Sequence, residues 1–227
     1  MCKNIGCECE CGCDRQRPAG VPRLNELAPE FEAQTTHGVL HLSDFKDLWL
    51  VLFSHPADFT PVCTTELVSF AELYPEFQKR GVELLGLSIE SISAHIAWVR
   101  SIEEKIGIRI PFPLIADLNK DIANLYGMLM SAENRTEASR CVYIIDLKGI
   151  IRAMIFYPKS IGRNIPEILR LIDALQTSDK HKVATPANWN PGDKVILPPA
   201  TTIEAAEARL SEGYDCLDWY LCKISLE

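Results

Sequence analysis

The stretch from Leu48 to Glu66 constrains the fold most. Leu48 to Phe53 is a short, unbroken apolar run, the length and character of a strand buried in the middle of a sheet. It ends at Ser54 and His55. Pro61 then breaks regular structure just before a new element begins. After it, Leu67, Phe70, Ala71, Tyr74 and Phe77 recur at helical spacing and predict an amphipathic helix with Cys63 in its first turn. A free cysteine is ordinarily a small buried hydrophobe. At a helix N-terminus, unpaired backbone N–H groups and the positive end of the helix dipole favour the thiolate, the reactive form. That setting makes Cys63 a candidate nucleophile.

The rest of the chain extends this strand–helix unit. Apolar strands are predicted at Val82 to Ser88, Leu114 to Ala116, Cys141 to Ile145 and Ile150 to Phe156. Helical spacing falls between and after them, at Ser93 to Ile106, Asn119 to Tyr126 and Asn164 to Gln176. Strands alternating with helices imply an α/β sheet. The short Asp146 to Gly149 connection predicts an antiparallel hairpin, so the central sheet is mixed. Residues 1–20 carry no periodic apolar pattern and read as a flexible, cysteine-rich tail. Residues 21–176 form the main domain. Thr177, Ser178, Asp179 and Lys180 read as a polar joint to a small, proline-rich C-terminal domain over 177–227. That unit has little core of its own and is expected to pack on the first domain or on another subunit.

Composition excludes several function classes. A formal charge of −8 does not suit a phosphate-backbone partner, so no nucleic acid is expected. No apolar run approaches a membrane span and no signal-peptide h-region opens the chain, so the expectation is a cytoplasmic protein without membrane contact. Of nine cysteines, five lie in the first thirteen residues, Cys63 and Cys141 stand alone, and Cys216 and Cys222 lie near the end. That distribution fits redox chemistry in a reducing compartment better than a stapled core.

The pattern Pro56-x-x-x-Thr60-x-x-Cys63, continued by Thr64-Thr65-Glu66, resembles the peroxidatic motif of the peroxiredoxins. The string from Phe53 to Glu66, with Ile110-Pro111-Phe112-Pro113, Tyr157-Pro158, Gly162-Arg163-Asn164 and Val183-Ala184-Thr185-Pro186, resembles the 1-Cys-type class with an extended C-terminal domain. The Cys216–Cys222 pair is similar to that of its archaeal-like branch. The resemblance spans roughly residues 21 to 222. It implies a thioredoxin-like fold and a thiol-dependent peroxidase acting on hydrogen peroxide and organic hydroperoxides, with no cofactor.

Reducing a peroxide with a thiol needs a thiolate in line with the O–O bond, donors that polarise that bond, and a group to stabilise the leaving alkoxide. The resemblance supplies candidates. Thr60 is expected to bring its hydroxyl beside the sulfur and the peroxide, and the N–H groups of Val62 and Cys63 to point into the same pocket. Arg140 and Arg163 are expected as active-site guanidinium groups, always charged and offering several donors in a fixed plane. Glu66 is expected to orient an arginine, Pro56 to shield the thiolate from water, and His55 to contribute a hydrogen bond or a structural contact.

Attack leaves Cys63 as a sulfenic acid, which condenses with another thiol or is oxidised further. By resemblance, Cys222 forms a disulfide with Cys63 across a dimer, and Cys216 then exchanges with Cys222. A thioredoxin-type or other dithiol donor closes the cycle, and the resemblance implies homodimers that often assemble into rings of ten. Were residues 216–222 helical, their ends would stand roughly 9 Å apart, beyond the roughly 7 Å limit for a disulfide, so the segment must bend or unwind.

Three rival readings are weaker. A dithiol oxidoreductase needs Cys-x-x-Cys at the helix start, and the third residue after Cys63 is Glu66. Cys7, Cys9, Cys11 and Cys13 offer four soft ligands for zinc or copper(I), but alternate positions are not the spacing of a structural zinc site. The phospholipase triad of some 1-Cys relatives is not matched. Lys46-Asp47-Leu48-Trp49-Leu50 stands where the serine motif belongs, and Ser43 and Lys148 where the histidine and aspartate do.

Overall fold

The computed structural model describes residues 21–134 and 136–226. The tail cysteines, and with them the tail metal reading, lie outside those residues. At the centre is β3 (Trp49–Ser54), paired in parallel with β4 (Val82–Ser88) and antiparallel with β6 (Arg140–Ile145). With a neighbour on each edge, every one of its residues is buried. Its side chains alternate between two cores. Trp49, Val51 and Phe53 enter one, and Leu50 and Leu52 the other, the period-two geometry of a strand. This double burial is why the strand reads as an unbroken apolar run.

The sheet extends outward through β5 (Leu114–Ala116), parallel to β4, and through β7 (Ile151–Tyr157), antiparallel to β6. A hairpin of β1 (Glu32–Thr35) and β2 (Gly38–His41) joins the β5 edge, giving a seven-stranded order β2-β1-β5-β4-β3-β6-β7. Its turn has Gly38 at φ +103°, which a side chain would strain, and the Thr35 hydroxyl donates to the Gly38 carbonyl at 2.8 Å.

One face of the sheet carries α1 (Pro61–Lys79), α2 (Ile92–Ile106) and α4 (Ile165–His181) over a core that includes Phe53, Phe70, Trp98 and Ile168. Ser91 caps α2 by accepting from the Ala94 N–H, and Gly107 ends it at φ +81°. The Asp117 carboxylate accepts from the N–H groups of Ile122 and Ala123 at the start of α3 (Asp121–Leu125). This helix is shorter than the predicted 119–126.

The C-terminal segment corrects one sequence expectation. Thr177 to Lys180 are not a joint: they lie inside α4, which continues to His181. Their polar groups bond within the fold: the Ser178 hydroxyl donates to the Val183 carbonyl at 2.6 Å, and Asp179 holds Arg152 by two hydrogen bonds of 2.6 and 2.8 Å. Beyond α4, β8 (Val195–Ile196), α5 (Ile203–Ser211), β9 (Asp215–Asp218) and β10 (Leu221–Ile224) form a small unit with sheet order β8-β10-β9. Val183, Trp189 and Val195 pack against Ala174 of α4, so the first domain completes this small core.

Candidate active site

The site lies where β3 ends and α1 begins. Thr60 is the N-cap of α1 with extended backbone, Pro61 is the first helical residue, and Cys63 sits in the first turn, as its spacing predicts. Early N–H groups of a helix have no intrahelical partner, which leaves those of Val62 and Cys63 available to a ligand. Phe59, just before the cap, has φ +54°. Such a conformation costs a bulky residue about 1–3 kcal/mol. The Phe59 ring meets Trp98 at 6.4 Å between centroids, a contact that helps hold the turn.

One helical turn after Cys63 stands Glu66, on the same buried face of α1. Its carboxylate gathers two arginines from distant elements. Arg140, first residue of β6, donates from Nη1 to Glu66 Oε2 at 2.7 Å and to Cys63 Sγ at 3.3 Å, while its Nε holds the Lys159 carbonyl. Arg163, just before α4, grips Glu66 from Nε at 2.9 Å and Nη2 at 2.6 Å, and its backbone N–H donates to Oε1 at 2.8 Å. Its Nη1 donates to the carbonyls of Ser54 and Cys141, and its guanidinium lies 5.3 Å from the Phe53 ring centroid. Both arginines are brought to the site, but differently: Arg140 touches the sulfur, whereas Arg163 acts through Glu66.

Charge counting shows what this cluster favours. Burial pushes the Glu66 carboxyl up, but the charge and hydrogen bonds of Arg163, with the charge of Arg140, outweigh it and hold the group below the usual carboxylate range. Two guanidinium groups therefore face one carboxylate, leaving a positive charge beside the sulfur. A thiolate balances it. At 3.3 Å, Arg140 Nη1 stands within hydrogen-bond reach of the sulfur. Cys141 contrasts with this: burial pushes its thiol up to about 12, so it stays protonated and inert.

Thr60 and His55 each make a hydrogen bond within the loop before Cys63. The Thr60 hydroxyl donates to the Ala57 carbonyl at 2.9 Å, so its lone pairs, not its hydrogen, remain for an incoming O–H. His55 is buried, with Nε2 at 2.9 Å from Asp58 Oδ1. Pro56 is buried beside it. Asp58 and His95 were not legible as site residues: Asp58 lies inside the motif without a partner in view, and His95 is 37 residues away. Ser43, Lys46, Asp146 and Lys148 line a separate cavity of about 210 Å³.

At the C-terminus, Cys216 on β9 and Cys222 on β10 are disulfide-bonded with Cα atoms 4.0 Å apart, and Cys63 and Cys141 are free. The segment bends as a hairpin rather than a helix, with an irregular register at Leu221 and Cys222. Cys222 is fully buried and Cys216 only partly so. The pair found is thus the second of the two expected, and not the Cys63–Cys222 bond.

The AhpC/TSA family model matches residues 24–154, and that of the C-terminal domain of 1-Cys peroxiredoxin matches residues 174–213. A peroxiredoxin of Aquifex aeolicus is 58% identical over 214 residues, covering 89% of this chain and 96% of that one. A peroxiredoxin of Methanosarcina mazei is 48% identical, covering 89% and 97%. Among solved structures, a yeast mitochondrial 1-Cys peroxiredoxin superposes with a TM-score of 0.82 at 42% identity, covering 91% of this chain and all of that one. A cysteine-to-serine mutant of peroxiredoxin 6 of Arenicola marina gives 0.81 at 36%, covering 91% and 99%. A chain that matches both family models in order, and that sets a free cysteine against a buried arginine at the head of α1, belongs to the AhpC/TSA family of peroxiredoxins and is a thiol-dependent peroxidase.

Proposed function

We propose that Cys63 is the peroxidatic nucleophile and that Arg140 is the cation that stabilises its thiolate and the departing oxygen. The sulfur attacks the terminal peroxide oxygen, the O–O bond breaks, and the electron pair leaves on an alkoxide or hydroxide that takes up a proton. Thr60 accepts the substrate O–H through its free lone pairs, and the N–H groups of Val62 and Cys63 donate to the peroxide. Glu66, held by Arg163, fixes the plane of the Arg140 guanidinium. The observation that carries the reading is the 3.3 Å contact from Arg140 Nη1 to Cys63 Sγ, inside a cluster whose charge a thiolate balances.

Resolution follows in our reading through the C-terminal pair. Cys222 condenses with the sulfenic acid and releases water, Cys216 attacks Cys222 and frees Cys63, and a dithiol donor reduces the Cys216–Cys222 bond. The presence of that bond supports this order. The yeast relative is described as resolved via glutathione/thioredoxin systems, and we assign a thioredoxin-type donor here. The first disulfide forms across a cytoplasmic homodimer that assembles into a decamer. No helix among the described residues is long and apolar enough to cross a membrane.

Peroxide consumption by Cys63→Ser tests the core of the proposal. A serine hydroxyl at this position stays protonated and cannot form a sulfenic acid, so we expect no turnover with the fold retained. Turnover comparable to the parent would remove Cys63 from the role.

A further inference from the structure

The chemistry proposed above leaves unexplained a buried chain of polar groups that starts at His55. His55 Nε2 meets Asp58 Oδ1 at 2.9 Å, His95 Nδ1 meets Asp58 Oδ2 at 2.7 Å, and His95 Nε2 meets the Ile115 carbonyl at 3.0 Å. His95 has no exposed surface, and His55 and Asp58 are buried. His55 Nδ1 is buried without a hydrogen-bond partner. Two histidines and an aspartate also resemble a metal site, but here each facing pair of atoms is joined directly by a hydrogen bond of 2.7 to 2.9 Å.

The hydrogen count follows from which groups can donate. A carbonyl oxygen only accepts, and so does an ionised carboxylate. The Ile115 carbonyl therefore requires a hydrogen on His95 Nε2. Burial pushes the Asp58 carboxyl up, but the hydrogen bonds from His55 and His95 and their charges outweigh it, and the group is held low and ionised. An ionised Asp58 then requires a hydrogen on His95 Nδ1 and another on His55 Nε2. Burial opposes a second proton on His55, so its Nδ1 carries a bare lone pair. Apart from Asp58, the charged groups acting on the cluster are Glu90, which faces Asp58 and His95, and Arg163, whose charge reaches His55.

We propose that His95 is a positioning residue: its ring, protonated on both nitrogens and paired with Asp58, locks His55 in the tautomer that leaves Nδ1 as a free acceptor in the loop carrying Pro56 and Thr60. What that acceptor receives, an O–H formed or bound during peroxide reduction, rests on the proposed function. The locking itself does not. Removing His95 takes away one of the two donors that hold Asp58 ionised, and an Asp58 that takes up a proton donates to His55 Nε2 and shifts the ring hydrogen to Nδ1.

Ring-nitrogen NMR on reduced, ¹⁵N-histidine-labelled protein at neutral pH tests this without peroxide. The chain has five histidines, so single variants assign the signals. We expect His95 to show hydrogen on both nitrogens, and His55 to show a bare Nδ1 and a protonated Nε2. In His95→Gln the His55 pattern should become a mixture, and the rate of Cys63 oxidation by hydrogen peroxide should fall at least about fivefold, the worth of one lost hydrogen bond. A bare nitrogen on His95 in the parent, or an unchanged His55 pattern in His95→Gln, would overturn the proposal. Should His95→Gln fail to fold by circular dichroism, Asp58→Asn serves instead, and an unchanged His55 pattern there is equally fatal. A protein that shows the expected spectra but consumes no peroxide would count against the proposed function and not against the lock.

Discussion

Arg140 stands 2.7 Å from Glu66 and 3.3 Å from the Cys63 sulfur, so the carboxylate and the thiolate compete for one cation. Arg163 decides the competition, because its two-pronged grip on Glu66 supplies a second positive charge and leaves Arg140 free to serve the sulfur. Replacing Arg140 by methionine keeps most of the side-chain volume and removes the charge. We expect the second-order rate of Cys63 oxidation, followed by stopped flow, to fall at least about tenfold, which asks for only about 1.4 kcal/mol of transition-state stabilisation. An unchanged rate would place Arg140 outside the chemistry. Cys63, Thr60 and Glu66 were legible because they share one local motif, and a residue one turn from Cys63 must lie on its face of the helix. Arg140 and Arg163 were legible only through family resemblance, since no local pattern tells a buried arginine from a solvated one. Asp58 and His95 escaped because their meaning lies in each other, across a loop and a helix.

At the scale of elements, the strand–turn–helix from β3 to α1 was readable because double burial makes β3 wholly apolar and the α1 face is periodic. The hairpin of β1 and β2 was not. It is four residues a side, and of its eight residues only Ala33 and Thr35 are buried, too few to write a pattern. The same holds for β9 and β10, where only Cys222 is buried. Short, half-exposed strands owe their pairing to neighbours rather than to their own residues. In the proposed cycle the β9–β10 hairpin opens, because Cys222, buried within it, is assigned to condense with the Cys63 sulfenic acid. On non-reducing gels after peroxide treatment we expect a covalent dimer from Cys216→Ser, whose Cys63–Cys222 bond cannot be exchanged away, and none from Cys222→Ser. Cys222→Ser should also make one rapid turnover and then stall with thioredoxin, which needs a disulfide to attack. A dimer that survives in Cys222→Ser would assign resolution to another thiol.

For the molecule as a whole, acid should be the weak direction. Glu66 and Asp58 both have folded-state affinities for the proton below their ordinary values of 4.5 and 3.8. A lowered carboxyl contributes stability that is present above its unfolded pKa and is lost as pH falls through the folded one. Denaturant unfolding from pH 7 to pH 3 should therefore show the parent losing stability more steeply below about pH 4 than Glu66→Gln, and parallel profiles would refute the linkage. The mixed α/β sheet flanked by helices was visible in the sequence, but the extent of α4 was not: residues 177–180 have the polarity of a linker, and it is Asp179 holding Arg152 that accounts for part of it within the helix. The central claim, that Cys63 takes the oxygen and passes its oxidation to the C-terminal pair, is tested most directly by peptide mapping after one equivalent of hydrogen peroxide, with a sulfenic-acid trap present. The account predicts the trap on Cys63 in Cys222→Ser and a Cys216–Cys222 disulfide in the parent. The trap on Cys141, or an untouched Cys63 in Cys222→Ser, would contradict it.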